Sequence, residues 1–339
     1  MNAAYLPIKL VMVALLLLGA GCEPLHRDLE PVWGEMDNRD TVVSASLDGT
    51  IRKFDPQGNL LWTYENELLA GASTNGVIDV AVDPGGFVYG VSHHTERVIK
   101  LDASGEVVWY SQLELSGRQM RGVAVDPDGN VYIAANADGV IKLNSSGDEE
   151  WHFDDHDGQT FNVVFGADGH LYSASSDNTT RRHNAETGAE VASFSTPDSA
   201  RAISVHPDGT VYVGCDDNTI YLFDTDGDLI ETFDRHVGDI YRIALHPDGY
   251  FVSSSRDETV RRVDGDLDEA WRYSDLIDRQ QGVAVLPGGE VYIGGRDNLV
   301  QKLDADGGLI WTADDHTASI HGIAAHPGRY DTFPDAWHD

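Results

Sequence analysis

The sequence contains little lysine, little cysteine and no long hydrophobic run. Only 5 of its 339 residues are lysine, and with 18 arginines they face 57 acidic residues, which gives a formal net charge of −34. A nucleic-acid-binding protein contacts phosphates through a basic stripe, so this balance disfavours that class. Two cysteines, Cys22 and Cys215, are too few for a disulfide framework. The nine apolar residues 10–18 are too few to span a bilayer.

The acidic residues, 41 Asp and 16 Glu, are distributed over the whole chain. Such a surface is typical of adaptation to molar salt, where screening limits charge repulsion to about 3 Å. The alternative is a local binding surface for cations or basic partners. The even distribution favours the first interpretation, and we expect a halophilic protein whose stability depends on salt.

The N-terminal segment is typical of an export signal. Lys9 is its only charged side chain, and the apolar run ends in Leu18-Gly19-Ala20-Gly21-Cys22. This ending resembles a lipoprotein signal peptide; an uncleaved anchor and an ordinary secretory signal are the alternatives. We predict an export segment at 1–22 with lipidation of Cys22, and a tether at 23–40. The protein is then extracytoplasmic and membrane-anchored at the cell surface, with secretion or a virion surface as alternatives.

A unit of about 40 residues repeats along the rest of the chain. One copy, residues 122–151, contains four short apolar strands separated by turns at 126–129, 138–139 and 145–147. A turn proline recurs in steps of 40 to 43 residues, at Pro84, Pro127, Pro207, Pro247, Pro287 and Pro327, with Ala167 in one copy. A four-stranded unit of this length is typical of a β-propeller.

The repeat predicts an all-β fold, a seven-bladed β-propeller of four-stranded blades over residues 41–328. Residues 41–65 supply three strands, and the C-terminal run 322–325 supplies one strand without a blade. Joining the two completes the seventh blade and closes the ring, which removes exposed sheet edges. Residues 329–339 remain as a C-terminal tail.

Two propeller families resemble this repeat. The stretches DRHVGDIYRIALHPDG (234–249) and SSSRDETVRRVD (253–264) are similar to WD-repeat proteins, and His156, His236 and His316 precede first strands in the same way. The Trp-Asp dipeptide of that family is missing, so its His–Ser–Asp–Trp network is expected to be incomplete. KLDASGEVVW (100–109) and KLDADGGLIW (302–311) resemble the Asp–Gly–Trp docking motif of PQQ-like (quinoprotein-like) repeats. That resemblance implies the fold, and a lipoprotein scaffold of this kind shares the layout. Because the chain has seven blades and no vicinal cysteine pair, we predict no cofactor.

Candidate binding residues are those that the repeat does not fix. Six residues before each turn proline, or its substitute, the copies differ, and in propellers this position surrounds one mouth of the central channel. Arginine and tyrosine are enriched in binding hot spots. The alternative is that these side chains only fill the mouth. We predict that a protein or glycan partner, through an anionic or aromatic group, binds at Arg121, Phe161, Arg201, Tyr241, Arg242, Gln281 and His321.

The predicted function is that of a non-enzymatic scaffold for a protein or other ligand. One alternative is a lactonase or lyase with a divalent metal in the channel, for which Asp79, Asn162 and His321 are the available ligands; a single carboxylate offers little acid–base pairing. Another is a structural protein of a virus or an appendage. The run 224–228 lacks the spacing of an EF-hand, and the pair His93-His94 lacks ligand partners, so no metal site is predicted.

Overall fold

The computed structural model describes residues 40–65, 76–115, 119–137, 139–275 and 278–326. Their strands form seven antiparallel four-stranded sheets, which are the blades of a ring. Within these ranges no helix is long and apolar enough to cross a membrane. The predicted export segment, the tether up to residue 39 and the C-terminal tail lie outside them.

The blades are numbered here from the one that contains strands from both ends of the described chain. Strands are given from the innermost to the outermost: blade 1 contains β28 (Ile320–His326), β1 (Thr41–Ser46), β2 (Thr50–Phe54) and β3 (Leu60–Glu65), and blade 2 contains β4 (Val77–Val82), β5 (Val88–Ser92), β6 (Arg97–Leu101) and β7 (Val107–Gln112). Blade 3 contains β8 (Met120–Val125), β9 (Val131–Ala135), β10 (Gly139–Leu143) and β11 (Glu149–Phe153), and blade 4 contains β12 (Thr160–Phe165), β13 (His170–Ser175), β14 (Thr179–Asn184) and β15 (Glu190–Ser195). Blade 5 contains β16 (Ala200–Val205), β17 (Val211–Cys215), β18 (Ile220–Phe223) and β19 (Leu229–Phe233), blade 6 contains β20 (Ile240–Leu245), β21 (Phe251–Ser255), β22 (Val260–Val263) and β23 (Glu269–Tyr273), and blade 7 contains β24 (Gln280–Val285), β25 (Val291–Gly295), β26 (Val300–Leu303) and β27 (Leu309–Ala313).

The ring closes through blade 1. β28 pairs antiparallel with β1, with Val43 opposite Ala324. The innermost strands β4, β8, β12, β16, β20, β24 and β28 contact one another in cyclic order. Ile320 and Ile323 of β28 pack with Tyr292 of blade 7 in one hydrophobic cluster. The seven-bladed propeller and its closure by the C-terminal strand, both predicted from the repeat, are therefore confirmed.

In blades 2 and 3 the proline-containing turn is held by the aspartate that begins it, Asp83 or Asp126. In blade 3, Asp126 Oδ1 accepts hydrogen bonds from the backbone N–H of Asp128 and Asn130, at 3.0 and 2.9 Å. Gly129 has a φ of +82°, and its N–H donates to the carbonyl of Asp126 at 3.0 Å. The Tyr132 hydroxyl also donates to Asp126, at 3.0 Å. One carboxylate thus ties this turn to the following strand. In blades 5 and 6 a histidine begins the turn instead, and the recurring element is the glycine with positive φ.

Tryptophans of the outermost strands dock on the next blade. Trp311 of blade 7 donates its Nε1–H to the carbonyl of Pro56 in blade 1, at 3.0 Å. Two residues further on, Gly58 has a φ of +87°, and a Cβ built on it would lie 2.8 Å from the Trp311 indole. This is the Asp–Gly–Trp motif that the sequence predicts. Here it crosses the seam of the ring, which is the junction between blade 7 and blade 1. Equivalent bonds are made by Trp62 to Ala103, Trp109 to Ser145, Trp151 to Ala185 and Trp271 to Ala305.

The contact between blades 5 and 6 departs from this motif. Glu231 pairs with Leu222 at the place where blades 1, 2, 3, 6 and 7 have tryptophan. In the facing turn of blade 6, Leu267 replaces glycine and keeps a positive φ of +61°. Leu267 packs on the hydrophobic cluster shared by these two blades. A leucine side chain therefore fills the space that an indole fills elsewhere.

Part of the WD-repeat hydrogen-bond network is present in blades 1, 4 and 6. In blade 6, His236 Nδ1 lies 2.8 Å from Asp257 Oδ2, and its Nε2 lies 2.8 Å from Ser253 Oγ. The fourth member is missing there, as the sequence predicts. In blade 4 a histidine takes that place, because His183 Nε2 lies 2.8 Å from the hydroxyl oxygen of Ser173.

Candidate functional site at the channel mouth

A β-bulge in each innermost strand carries the predicted mouth residues. In blade 2, Val77 pairs with Ser92 and Asp79 pairs with Val91, which leaves Ile78 as an extra residue between them. The same irregularity occurs at the same position of the other six innermost strands. A bulged residue has no partner in the ladder, and its side chain can be turned away from the sheet. These seven residues, the bulge ring, are Ile78, Arg121, Phe161, Arg201, Tyr241, Gln281 and His321.

The bulge ring surrounds one cavity of about 240 Å³. Arg242 and Arg296 complete its lining, and we call it the mouth cavity. All seven residues predicted as the binding site thus lie around a common space, in a chain of net charge −34. Four of the nine lining residues are arginines, so the cavity is basic. That it binds a partner stays a prediction.

Arg201 is fixed within the wall of the mouth cavity. Its Nε and one terminal nitrogen donate to the two carboxylate oxygens of Asp216, at 2.6 and 2.7 Å. Its guanidinium carbon lies 4.5 Å from the ring centroid of Phe161 and 5.8 Å from that of Tyr241. Paired and covered on both sides, this arginine shapes the wall and keeps the two aromatic rings in place.

Arg242 crosses the ring. It is the residue after the bulge in blade 6, and its guanidinium lies 3.1 Å from the carboxylate of Asp79 in blade 2, which is not a neighbouring blade. Burial raises the pKa of Asp79, although the positive charge of Arg242 acts in the opposite direction. The N–H of Val123 also donates to Asp79, at 3.2 Å. At the equivalent positions of four other blades the residues are small: Gly122, Ala202, Gly282 and Gly322.

Arg121 and Arg296 differ from the other two arginines. Within the part of the chain that the structure describes, neither has a carboxylate partner. Arg121 donates to the side-chain oxygen of Gln119 at 3.0 Å, but its Nε is buried without an acceptor. Arg296 is exposed at the opening. Gln281 likewise has a buried amide oxygen without a donor among the described residues. The cavity therefore presents polar groups that the described chain leaves unmatched.

The pKa values of two nearby histidines, His321 and His93, are lowered in part by the positive charge of this site. Burial, together with the positive charges of Arg242 and Arg296, lowers the pKa of His321 to about 3. Burial and the neighbouring His94 and Arg121 lower the pKa of His93 to about 4. Both imidazoles are therefore neutral near pH 7, and neither adds a positive charge to the cavity.

Two of the arginines predicted to bind a partner are engaged within the protein, because Arg201 and Arg242 are each ion-paired. Binding at either one stays a prediction. Arg296 was missed, because it follows the second strand of its blade rather than preceding the first. A second variable series stands there, including Asp216, Arg256 and Arg296, whose N–H groups all bond back to the loop before the first strand. The variation between copies at this position was the sequence signal by which Arg296 could have been found.

The residues considered for a channel metal are engaged otherwise. Asp79 is bound by Arg242, and Asn162 Oδ1 accepts the N–H of Val163 at 2.8 Å. His321 lies among arginines that disfavour a cation. Among the described residues no group of three His, Cys, Asp or Glu side chains is placed to hold a metal ion. His93 and His94 stack on each other, with ring centroids 4.0 Å apart.

Comparison with known families agrees with the fold. Residues 94–239 match the PQQ_2 family, described as outer membrane protein assembly factor BamB. Residues 227–264 match the WD domain, G-beta repeat. No curated protein matches the chain. The resemblance to PQQ-like and WD-repeat propellers is therefore confirmed, and neither match covers half of the chain.

Proposed function

We propose that this protein is a non-enzymatic binding propeller that takes an anionic group of a protein or glycan partner into the mouth cavity. One observation carries the proposal: in a chain with a net charge of −34, four of the nine residues around the mouth cavity are arginines. An arginine side chain can donate two parallel hydrogen bonds to the oxygens of one carboxylate or phosphate group, and arginine is frequent in binding hot spots. The description of the matched family as an assembly factor accords with a binding role.

The enzymatic alternative fits the same residues less well. A lactonase or lyase of the propeller type would need carboxylates and histidines free to hold a divalent metal. Asp79, the carboxylate among the candidate metal ligands, is paired with Arg242. The surrounding guanidinium groups favour an anion over a metal ion.

Capture of partners from the native membrane, extracted in high salt, tests the proposal. The intact protein, a variant with Arg121→Ala and Arg296→Ala, and a control variant with Arg272→Ala serve as baits. Arg272 is exposed on the outermost strand of blade 6 and does not line the mouth cavity. We expect a species that the intact protein and the control capture and the double variant loses, with affinity weakened about fivefold or more. Equal capture by all three baits, or loss only on changing His93 and His94, would place the site elsewhere.

The proposed role includes a place outside the cytoplasm. The lipoprotein-like ending at Cys22 supports a lipid anchor, and the acidic composition supports a halophilic setting. Cys22→Ser should release the protein into the medium or leave it unprocessed. An intact mass that corresponds to an unmodified chain beginning at Met1 would reject lipidation.

A further inference from the structure

The charge of the mouth cavity can be counted from its ion pairs. Arg121, Arg201, Arg242 and Arg296 line the cavity, and two of them are neutralised by Asp216 and Asp79. A further carboxylate whose charge acts on Arg201, that of Asp239, is paired with Arg256 at 3.3 Å. Two positive charges, those of Arg121 and Arg296, are therefore left without a partner in the described part of the chain.

The neutral groups agree with this count. Near pH 7 the charged groups that depress the pKa of His321 include three guanidinium groups, those of Arg242, Arg296 and Arg121. A volume of about 240 Å³ lies below the range of roughly 300 to 1,000 Å³ for drug-sized pockets, so the space suits a small group.

We infer that the mouth cavity binds a compact, doubly charged oxyanion, and that Arg121 and Arg296 are the residues that hold it. Arg201 and Arg242 have a different duty, because each already satisfies a carboxylate of the protein and forms the wall. The ligand class is a dianionic group such as a sulfate, a phosphate monoester or a short dicarboxylate. The inference rests on the proposed function and names the group that the partner presents.

Two tetrahedral anions separate charge from shape. Sulfate stays a dianion between pH 5 and pH 8, whereas methyl phosphate becomes mostly a monoanion below its second pKa of about 6. We would titrate each into the intact protein by calorimetry at pH 8 and pH 5, at constant ionic strength. Methyl phosphate should bind about tenfold more weakly at pH 5, since only about a tenth of it remains dianionic. Sulfate, a dianion at both values, reports any change in the protein itself, such as protonation of Asp79, whose pKa burial raises, and the tenfold loss is measured relative to sulfate.

Variants then place the anion. Arg121→Gln and Arg296→Gln should each weaken sulfate binding tenfold or more. Arg272→Gln removes the same charge from an exposed position on the outermost strand of blade 6, which does not line the mouth cavity, and should change binding less than twofold. Succinate and acetate extend the comparison: the dicarboxylate should bind and the monocarboxylate should bind at least tenfold more weakly.

The outcomes separate this inference from the proposed function. Methyl phosphate binding that changes with pH no more than sulfate binding does, acetate binding as tight as succinate, or an equal loss in Arg272→Gln and Arg296→Gln would each overturn the inference. So would the absence of binding by all the dianions. If partner capture still depends on Arg121 and Arg296 in that case, the proposed function stands. Dianion binding together with capture that ignores both arginines would instead overturn the proposed function.

Discussion

The seam of the ring can be tested with a single methyl group. Gly58 lies in the blade 1 turn on which Trp311 of blade 7 docks, and a Cβ at this position would lie 2.8 Å from the indole. Gly58→Ala therefore brings two costs: a side chain at a φ of +87° and a displaced tryptophan. Gly249→Ala brings only the first, because Gly249 has a φ of +88° and no atom within 4 Å of its would-be Cβ.

The difference between the two variants can be estimated. A left-handed conformation costs a non-glycine residue about 1–2 kcal/mol, and this applies equally to both. At Gly58 the indole must also move, which weakens the bond from Trp311 to Pro56, a contribution of about 1 kcal/mol. Trp311 further packs against Phe54 and Tyr292, with ring centroids 6.3 and 5.8 Å apart, and such pairs contribute about 0.5–1.5 kcal/mol each. We expect Gly58→Ala to destabilise the protein by about 2 kcal/mol more than Gly249→Ala.

Urea unfolding at constant molar KCl, followed by circular dichroism, gives the two free energies of unfolding. Gly105→Ala provides an internal reference, because its would-be Cβ lies equally close, at 2.8 Å, to Trp62 within the continuous part of the ring. Equal destabilisation by Gly58→Ala and Gly249→Ala would refute the docking contact at the seam. A large effect at Gly105 with none at Gly58 would show that the seam is open in solution.

Three further predictions concern stability. Glu258 has a φ of +63° in an exposed hairpin, so Glu258→Asn should raise the free energy of unfolding by about 0.5–1 kcal/mol, whereas Glu186→Asn, which removes the same charge at a position without positive φ, should not. Burial lowers the pKa of His183 to about 3, so as the pH falls the unfolded state binds a proton at this imidazole before the folded state does. The free energy of unfolding should therefore be full above about pH 6.5 and fall below it. His183→Gln should remove about 2 kcal/mol of the loss between pH 6.5 and 5, and an unchanged loss would contradict this titration. Thermal melting should occur at lower temperature in about 0.1 M than in molar salt because of the net charge of −34, and equal melting would favour a local acidic binding surface.

Most of the fold could be predicted from the sequence repeat. Turns, hairpins and docking tryptophans recur because each blade meets its neighbours in the same way, so a period of about 40 residues was sufficient to predict seven blades and their closure. The period also located the bulge ring, as the position where the copies differ. What it could not predict were the bonds that depend on one blade alone. Leu267 opposite Glu231 is such a case, since two departures from the motif compensate each other only when the blades are side by side.

The ion pairs of the mouth cavity could not be predicted from the sequence, for a related reason. Arg242 meets Asp79 across the centre of the ring, and their separation in the chain follows from no periodicity. Arg201 meets Asp216 within one blade, but sequence alone gave no reason to prefer this carboxylate among 57 acidic residues. Residue types could therefore indicate a basic mouth, while the division between structural and available arginines required coordinates.

Two adjacent glutamines show how the fold and the site coexist in one strand. Gln280 lies in the ladder of blade 7, opposite Gly295, with its side chain fully buried and donating to the Asp278 carbonyl and to Asp297 at 3.1 and 3.2 Å. Gln281, the next residue, is the bulged one and lines the mouth cavity. A change at Gln280 disturbs strand packing, whereas a change at Gln281 alters the cavity and leaves the ladder register intact. The bulge thus separates the two duties by one residue, which is why a strictly repeated scaffold can carry a non-repeated ring of side chains.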